Sequence, residues 1–382
     1  MSAPTLPETW MARALKLAER GRYTTDPNPR VGCVLVKDGR VVGEGWHDRA
    51  GEPHAEVHAL RAAGEAARGA TAYVTLEPCS HQGRTGPCAR ALVEAGVAHV
   101  VVAMQDPNPQ VAGRGIALLR EAAIEVTVGV LEDEALALNS GFVMRMSHGR
   151  PFVRLKMAMS LDGRTAMRSG ESQWITGPQA RREVQRLRAR SSAILTGVES
   201  IIFDNARLTV RAEQLALPDG EAIAARQPLR VVVDSRLRLP QAAACLREPG
   251  RTLVATLAEH EPERRARLEE AGAEVVVMPA AADGRVDLDA LLHHLAEVEQ
   301  ANEVLLETGA TLAGAMLEAN LIDEMQLFVA PTLLGGEARP LFALPGLSLM
   351  AQQKGLEILD IRAVGQDWRI TARPTRPTTS AS

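Results

Sequence analysis

A histidine and two cysteines constrain the fold of this chain more than any other feature. They are His54, in the segment His-Ala-Glu, and Cys79 and Cys88, each of which follows a proline. One imidazole and two thiolates are ligands that suit zinc, and three protein ligands leave a fourth tetrahedral position for water, as in catalytic zinc sites. We therefore expect the first part of the chain to be organised around these three residues.

Glu56 lies two residues after His54 and is not needed as a zinc ligand. Zinc lowers the pKa of a bound water from about 15.7 to about 7, and Glu56 can take the proton and return it to a leaving amine. H-x-E followed by P-C…C is the pattern of zinc deaminases that act on amino-pyrimidine or purine rings. A helix predicted over 54–67 puts Glu56 in its first turn, where the helix dipole favours the ionised carboxylate.

The spacing of the two cysteines departs from that pattern. Zinc deaminases usually have two residues between them, whereas eight residues separate Cys79 from Cys88 in this chain. The longer loop carries His81 and Arg84, which are donors suited to a phosphate group. The spacing alone leaves two other interpretations open, a structural zinc knuckle and a chance pair of cysteines. Cys33 lies in an apolar run and is expected in the core.

Length and composition limit the class of protein. At 382 residues, two domains are the default expectation. The net charge of −4 argues against a nucleic-acid-binding protein. Four cysteines in a chain of this length are not a disulfide framework, and metal spacing indicates a reducing compartment. The sequence has neither a signal-peptide apolar region nor a long apolar run, so we expect a cytoplasmic protein with no membrane segment.

The order of predicted elements indicates α/β architecture. Strand-like runs at 30–36 and 40–46 flank Asp38-Gly39, a strong hairpin signal. Strands and helices then alternate, ending in one predicted helix over 132–146, which implies a mixed sheet covered on both faces.

Three regions are predicted along the chain. The first domain spans 1–147 and ends where Ser-His-Gly-Arg-Pro begins. A second α/β domain spans 148–373. Residues 374–382 are rich in proline, serine and threonine and are expected to be a disordered tail.

The second domain offers weaker chemical signals. A strand leads into Thr308-Gly309-Ala310 and then a helix, which places main-chain amides where a phosphate can bind. Any tight strand-to-helix turn also favours glycine, and the G-x-G-x-x-G fingerprint is absent. Trp174 can stack on a ring, but composition alone favours ordinary core filling.

Longer motifs resemble those of one family, the bifunctional riboflavin-biosynthesis deaminase/reductases. The resemblance covers the chain from about residue 8 to 373, in the family's order, and rests on these segments: 27–32, 54–59, 75–81 with Cys88, 106–109, 155–156, 160–166, 174–176 and 208–211. It implies an N-terminal three-layer domain of the cytidine-deaminase fold and a C-terminal domain similar to dihydrofolate reductase.

The resemblance implies two linked reactions on a small-molecule substrate. Zinc-dependent hydrolysis would deaminate 2,5-diamino-6-(5-phosphoribosylamino)pyrimidin-4(3H)-one. NADPH would then reduce the phosphoribosyl side chain and give 5-amino-6-(5-phosphoribitylamino)uracil. The family also usually forms homo-oligomers through the reductase domain.

The resemblance further implies the roles of individual residues. In the first domain it implies that His54, Cys79 and Cys88 are the zinc ligands and that Glu56 carries the proton. It implies the substrate contacts Asn28, His47, His81 and Arg84, with Asp106 and Asn108 as further contacts. In the second domain it gives as NADPH contacts Ala158, Trp174, Ser200, Asp204, Ser235, Gly309, Ala310, Thr311, Leu312, Ala313, Gly314 and Ala315. It gives as substrate contacts Lys156, Ser172, Arg188, Leu208, Arg211 and Glu307. Guanidinium groups bind phosphate bidentately, which suits Arg188 and Arg211, and Glu307 can accept from sugar hydroxyls.

Two positions depart from the family pattern. Gly86 stands where the family often has proline, and Ala206 replaces a proline before the Leu-Thr pair. Neither changes a zinc ligand or a proton carrier.

Two other functions are also compatible with parts of the sequence. One is a zinc-containing nucleotide-binding protein with structural zinc. The other is a deaminase of nucleic-acid bases, which the acidic net charge disfavours.

Overall fold

The structure is a computed structural model that describes residues 6–80, 86–109, 111–257 and 262–375. The chain divides into two compact units between Gly149 and Arg150. The predicted border between residues 147 and 148 falls two residues earlier, in the last turn of a helix. Within the described ranges, no helix combines the length and hydrophobicity needed to cross a bilayer.

The first unit is a sheet with helices on both faces. Its strands are β1 Gly32–Lys37, β2 Arg40–Trp46, β3 Thr71–Leu76, β4 His99–Met104 and β5 Glu125–Val128; its helices are α1 Pro7–Ala18, α2 Ala55–Ala63, α3 Cys88–Ala95, α4 Arg114–Glu121, α5 Glu132–Leu138 and α6 Ser140–His148. The sheet order is β2-β1-β3-β4-β5. Helix α1 packs with α5, whereas α3 packs between α2 and α4, so the sheet lies between two helical layers.

The hairpin β1–β2 forms as the sequence predicts. Asp38 and Gly39 have φ values of 51° and 71°, and two consecutive positive φ values match the twist of a two-residue hairpin turn. Strand β1 pairs antiparallel with β2 and β3, whereas β3, β4 and β5 are parallel. The carboxyl ends of β3 and β4 therefore meet at one edge, where the segments after Leu76 and Met104 lie side by side.

The prediction of one helix over 132–146 is wrong, because Asn139 separates α5 from α6. Its buried side chain accepts from the Arg30 amide at 2.8 Å and donates to the Arg30 carbonyl at 2.9 Å. These bonds join the helical segment to a loop 109 positions earlier in the chain. Local helical spacing carries no signal of such a distant partner.

The second unit contains a nine-stranded sheet with its own core on each face. Its strands are β6 Phe152–Ser160, β7 Arg164–Ala166, β8 Ala193–Gly197, β9 Leu229–Val233, β10 Thr252–Thr256, β11 Ala273–Val277, β12 Glu303–Glu307, β13 Glu324–Ala330, β14 Arg339–Pro340, β15 Leu356–Val364 and β16 Asp367–Pro374. Its helices are α7 Pro178–Arg190, α8 Val198–Asp204, α9 Ala212–Leu215, α10 Gly220–Ala224, α11 Ala244–Arg247, α12 Pro262–Glu270, α13 Leu288–Glu297 and α14 Ala310–Glu318.

The strand order of this sheet is β11-β10-β9-β8-β12-β6-β13-β16-β15, and β7 pairs separately with β14. The strands from β11 to β13 are parallel to their neighbours, and β16 and β15 close the sheet in antiparallel pairing. Leu305 packs in one core and Leu306 in the other, as alternation along a strand buried on both faces requires. The pairing of β6 with β12 places Lys156 opposite Glu307.

The predicted disordered tail begins too early. Pro374 is the last residue of β16 and pairs with Leu356, and the Thr375 amide donates to the Gly355 carbonyl at 2.9 Å. Proline is tolerated here because it ends the strand. Residues 376–382 of the predicted tail lie outside the described residues.

We expect Asn139→Ala to destabilise the first unit by about 2 kcal/mol or more, because two buried main-chain groups of Arg30 lose their partners. Differential scanning calorimetry of the full chain measures the effect. Glu134→Ala, an exposed change on α5, is the matched control and should stay within about 0.5 kcal/mol. Equal unfolding temperatures for the two variants would contradict this account of the helix break.

Candidate active sites

The three predicted zinc ligands converge in the first unit. His54 is the residue before α2, Cys79 follows β3, and Cys88 begins α3. The Nδ1 atom of His54 lies 3.6 Å from the Cys79 sulfur and 3.3 Å from the Cys88 sulfur. All three ligand atoms lie within 4.8 Å of one another.

This donor set fits zinc. Bonds of about 2.3 Å to sulfur and about 2.0 Å to nitrogen place tetrahedral ligand atoms roughly 3.5 Å apart, which is close to the distances from His54 Nδ1. Among the described residues, only these three form a cluster of metal-binding side chains. A set of three leaves one tetrahedral position for a reacting oxygen, as in catalytic rather than structural sites.

The hydrogen bond between Cys79 and Cys88 shifts the pKa values of their thiols in opposite directions. The hydrogen bond from Cys88, with a second from His54, lowers the pKa of Cys79 to about 4. That same hydrogen bond to Cys79, together with burial, raises the pKa of Cys88. One thiolate is therefore stable in the protein alone, and a dication at this position favours deprotonation of both sulfurs.

Glu56 lies beside this cluster and is 3% exposed. Burial raises the pKa of its carboxyl group to about 7, although His54 opposes the shift. The sequence predicts that the helix end favours the ionised carboxylate, but burial has the larger effect on the pKa. A carboxyl group with a pKa near neutrality is suited both to accept and to return a proton.

Two predicted substrate contacts adjoin the histidine ligand. His47 lies edge-on to His54 with ring centroids 5.3 Å apart. Its Nε2 is 3.1 Å from the Asn28 side-chain nitrogen, and its Nδ1 is 3.2 Å from the Pro53 carbonyl. Burial lowers the pKa of His47, so the neutral ring is favoured.

The predicted phosphate contacts His81 and Arg84 lie outside the described residues. Gly86 stands where the family often has proline, and no atom of the described residues lies within 4 Å of the position that its side chain would take. Crowding therefore does not explain the glycine. Ala206, the other departure, lies beside the cleft of the second unit.

A cleft of about 1760 Å³ lies within the second unit. It opens where β6, β8, β9 and β12 end and where α14 begins. Most of the residues predicted to contact NADPH or the second substrate line it: Lys156, Ala158, Ser172, Trp174, Arg188, Ser200, Asp204, Leu208, Arg211, Ser235, Glu307, Gly309, Ala310, Thr311, Leu312 and Ala315.

Ala313 and Gly314 do not line the cleft. Ala313 is fully buried in the core, and a side chain at Gly314 would meet the Ala343 carbonyl at 2.1 Å. A helix turns every 3.6 residues, so seven consecutive residues cannot all face one ligand. Five of the seven predicted residues in 309–315 therefore line the cleft, whereas Ala313 and Gly314 lie outside its lining.

A largely buried ion pair between Arg188 and Glu307 lines the cleft. Arg188 binds both oxygens of Glu307 at 2.6 and 2.8 Å and donates to the Thr209 carbonyl at 2.9 Å. Burial alone would raise the pKa of Glu307, but Arg188 and Lys156 outweigh it and the pKa is lowered. Burial lowers the pKa of Lys156. Three of the five N–H donors of Arg188 are engaged in these contacts, and its predicted contact with a phosphate stays a prediction.

Trp174 is not a core residue, because 67% of it is exposed at the cleft. The Arg181 guanidinium lies over its ring, 4.8 Å from the centroid. Nearby, the Ser172 hydroxyl donates to Asp204 at 3.0 Å. Composition alone had favoured core filling for this tryptophan, and the geometry favours a free aromatic face at the cleft.

Three residues stand out among the cleft residues that sequence reasoning did not select. Phe203 is exposed there, with the Arg339 guanidinium 4.8 Å from its centroid. Thr196 Oγ1 and Asp234 Oδ1 are buried at the cleft without a hydrogen-bond partner in the part of the chain described. The rarity of aromatic residues, at 3%, could have singled out Phe203, whereas no sequence pattern singles out the other two.

Two family models match the chain. The model described as the cytidine and deoxycytidylate deaminase zinc-binding region matches residues 4–104. The model described as the RibD C-terminal domain matches residues 151–370. The first match contains the zinc ligands, and the second contains the cleft.

Curated relatives and solved structures agree with these matches. The chain is 53% identical over 365 residues to the riboflavin biosynthesis protein RibD of Escherichia coli K12, covering 94% of this chain and 97% of that protein. A solved RibD of Acinetobacter baumannii has a TM-score of 0.89 at 50% identity, covering 97% and 99% of the two chains. A Thermotoga maritima structure, described as a diaminohydroxyphosphoribosylaminopyrimidine deaminase/5-amino-6-(5-phosphoribosylamino)uracil reductase, has a TM-score of 0.82 at 33% identity, covering 97% and 99%.

These similarities confirm the predicted fold class, a cytidine-deaminase-like domain followed by a reductase domain. They also confirm zinc and NADPH as the cofactors. The chain belongs to the RibD family of bifunctional deaminase/reductases of riboflavin biosynthesis.

Proposed function

We propose that Glu56 and the cluster of His54, Cys79 and Cys88 carry out the deamination, on the diaminopyrimidine named for the Thermotoga relative. The observation that carries this proposal is a buried carboxyl group with a pKa near 7 beside three convergent zinc ligands. Bound zinc supplies a Lewis acid that makes hydroxide available at neutral pH. Glu56 accepts the proton released at this point and delivers it to the departing amine.

Asn28 and His47 bind and orient the pyrimidine. The Pro53 carbonyl contacts Nδ1 of the His47 ring, and the Asn28 side-chain nitrogen contacts its Nε2. Because burial favours the neutral ring, His47 can donate to the Pro53 carbonyl and accept from Asn28, which orients both side chains at the site. His81 and Arg84, on the loop between the cysteines, bind the phosphate.

The cleft of the second unit carries out the reduction of the ribosyl side chain, for which NADPH supplies the hydride. Gly309 precedes α14, whose first amides open into the cleft and are suited to the cofactor's phosphates. Trp174, Ser200, Asp204 and Ser235 bind other parts of the cofactor.

On the substrate side, Glu307 accepts from hydroxyls of the ribose, and Lys156 lies opposite it in the sheet. Arg188 holds Glu307 in its ionised form and in one orientation. Arg211 lines the same cleft and binds the phosphate, to which its guanidinium is suited. Ser172 and Leu208 complete this side of the site.

Family membership does not support the alternative of a nucleotide-binding protein with structural zinc. The substrate is a small molecule.

We further propose that the enzyme binds no nucleic acid, as its net charge of −4 suggests. A thiolate-rich zinc site needs reduced cysteines, which supports a cytoplasmic location.

We also propose that the protein forms homo-oligomers through the reductase domain. Strand β15 is at the edge of the nine-stranded sheet and exposes Leu356, Ile358, Leu359 and Ile361. An exposed, apolar edge strand is a template for pairing with another chain, and a second copy of the same strand fits it.

Glu56→Gln should reduce ammonia release by at least about 100-fold, because the proton carrier is lost while its shape is kept. Zinc content and NADPH oxidation with supplied deaminated intermediate should not change. Glu52→Gln, an exposed change near the same helix, is the control. Full ammonia release by the Glu56 variant would rule out this role.

Arg188→Gln should lower kcat/KM for the reduction by about 100-fold, because a buried partner of Glu307 is removed and the carboxylate loses its orientation. Ammonia release from the diaminopyrimidine should stay at the wild-type rate. Arg182→Gln, exposed on the same helix, should leave both rates unchanged. A reduction rate within threefold of wild type would contradict the assignment.

The double variant Ile358→Lys/Ile361→Lys should convert the protein to a monomer of 41.0 kDa, since charges on an edge strand prevent pairing. Light scattering after size exclusion measures the mass. Val298→Lys, at another exposed apolar residue of the domain, should leave the mass unchanged. An unchanged mass in the double variant, or a monomeric wild-type protein, would refute the β15 interface.

A further inference from the structure

Glu77 is a buried carboxylate that the proposed chemistry does not use. It is 3% exposed and lies two residues before the zinc ligand Cys79. Its partners are main-chain amides of one later segment of the chain. Oε2 accepts from Asp106 at 3.2 Å and Gly113 at 2.9 Å, and Oε1 accepts from Gly115 at 2.8 Å and Ile116 at 3.1 Å.

Three of these four bonds, from Gly113, Gly115 and Ile116, satisfy amides at the N-terminus of α4, and the fourth comes from Asp106 in the preceding loop. The first amides of a helix lack partners within the helix, and α4 has neither a side-chain cap of its own nor an acidic residue in its first turn. Glu77 supplies the missing acceptor from a different strand-to-loop segment. The helix dipole favours a negative charge at this end, so the contact combines hydrogen bonding with charge.

Close packing holds the two segments at a fixed distance. A side chain at Gly115 would lie 1.9 Å from the Pro78 carbonyl oxygen, so only glycine allows α4 to approach the segment before Cys79. The Glu77 amide also donates to the Met104 carbonyl at 3.0 Å. The zinc-ligand segment, residues 77–79, is therefore hydrogen-bonded to residues that precede and residues that follow the loop after β4.

That loop carries Asp106 and Asn108, which the family motif places among the substrate contacts of the deaminase site. Asp106 is bound to Glu77 through its amide, and its carboxylate in turn accepts from the Asn108 amide at 2.8 Å. The Asn108 carbonyl accepts from Val111 and Ala112 at 2.8 and 2.9 Å. The conformation of the loop thus depends on a chain of contacts that begins at Glu77.

We propose that Glu77 is a positioning residue of the deaminase reaction: it fixes the substrate-binding loop after β4 relative to the zinc-ligand segment. It neither binds the metal nor touches the reacting atoms. This inference rests on the proposed deaminase function, and it assigns a task to a residue outside the proton-transfer and ligand sets.

The Glu77→Gln variant tests the proposal, because glutamine keeps the shape but replaces one acceptor oxygen by an NH2 group. Whichever way the amide turns, two of the four donors then lose their acceptor. We expect kcat/KM for ammonia release to fall about 10- to 100-fold, mainly through a higher KM. Zinc content and NADPH oxidation with supplied deaminated intermediate should equal those of the wild-type protein.

Hydrogen exchange supplies a readout that is independent of turnover. In Glu77→Gln, the amides of Asp106, Gly113, Gly115 and Ile116 should exchange faster, whereas those of β3 should not. Glu121→Gln, an exposed change at the other end of α4, is the matched control and should leave exchange and both activities unchanged. Gly113→Ala keeps the carboxylate but strains one donor, whose φ is 78°, and should raise KM by a smaller factor.

Several outcomes would overturn the proposal. For Glu77→Gln, these are a KM for ammonia release within twofold of wild type, a decrease in kcat alone, or a loss of bound zinc. A loss of zinc would mean that Glu77 holds the metal site together. If Glu77→Gln yields no folded first domain, an unchanged KM in Gly113→Ala overturns it. A wild-type protein that binds zinc but releases no ammonia would be a failure of the proposed function itself, and this inference would fall with it.

Discussion

The architecture of both sites depends on parallel strands that end at one edge of a sheet. In the first unit, β3 and β4 run side by side, so Cys79 and the loop with Asp106 leave the sheet together. In the second unit, the register of β6 and β12 places Lys156 opposite Glu307. Helices that begin at the same edge then supply the remaining groups, including Cys88 at the start of α3 and Gly309 before α14. The polar side chains of both sites lie at this edge because the rest of each strand is buried on both faces and carries mainly apolar side chains.

Three buried carboxylates show how surroundings decide what a side chain does. Burial outweighs the opposing effect of His54 on Glu56, so its pKa rises to about 7, which suits the proton transfer that we propose for it. Glu307 is held by Arg188 and Lys156, so its pKa is lowered and it stays an acceptor. Glu77 has four main-chain donors, which make it a structural link between two segments. The same residue type is thus suited to three different tasks, which we propose to be proton transfer, substrate binding and positioning.

Sequence could predict those parts of the sites that depend on ligand chemistry and on continuous motifs. His54, Cys79 and Cys88 were recognisable because few residue types bind zinc, and the hairpin at Asp38-Gly39 because its turn has a local signature. The break at Asn139 was not predictable, since its cause is a partner 109 positions away. The pairing of Arg188 with Glu307 and the burial of Ala313 likewise depend on packing between distant elements. The exposure of Trp174 reversed what composition alone favoured.

The most direct test of the central claim is a coupled assay on the purified full chain. The diaminopyrimidine substrate and NADPH are supplied together, and ammonia and NADPH absorbance are followed before and after removal of zinc. The account predicts that zinc removal stops ammonia release but spares NADPH oxidation when deaminated intermediate is supplied, and that restored zinc recovers both steps in sequence. Ammonia release that persists without zinc, or zinc-loaded protein that performs neither step, would contradict it.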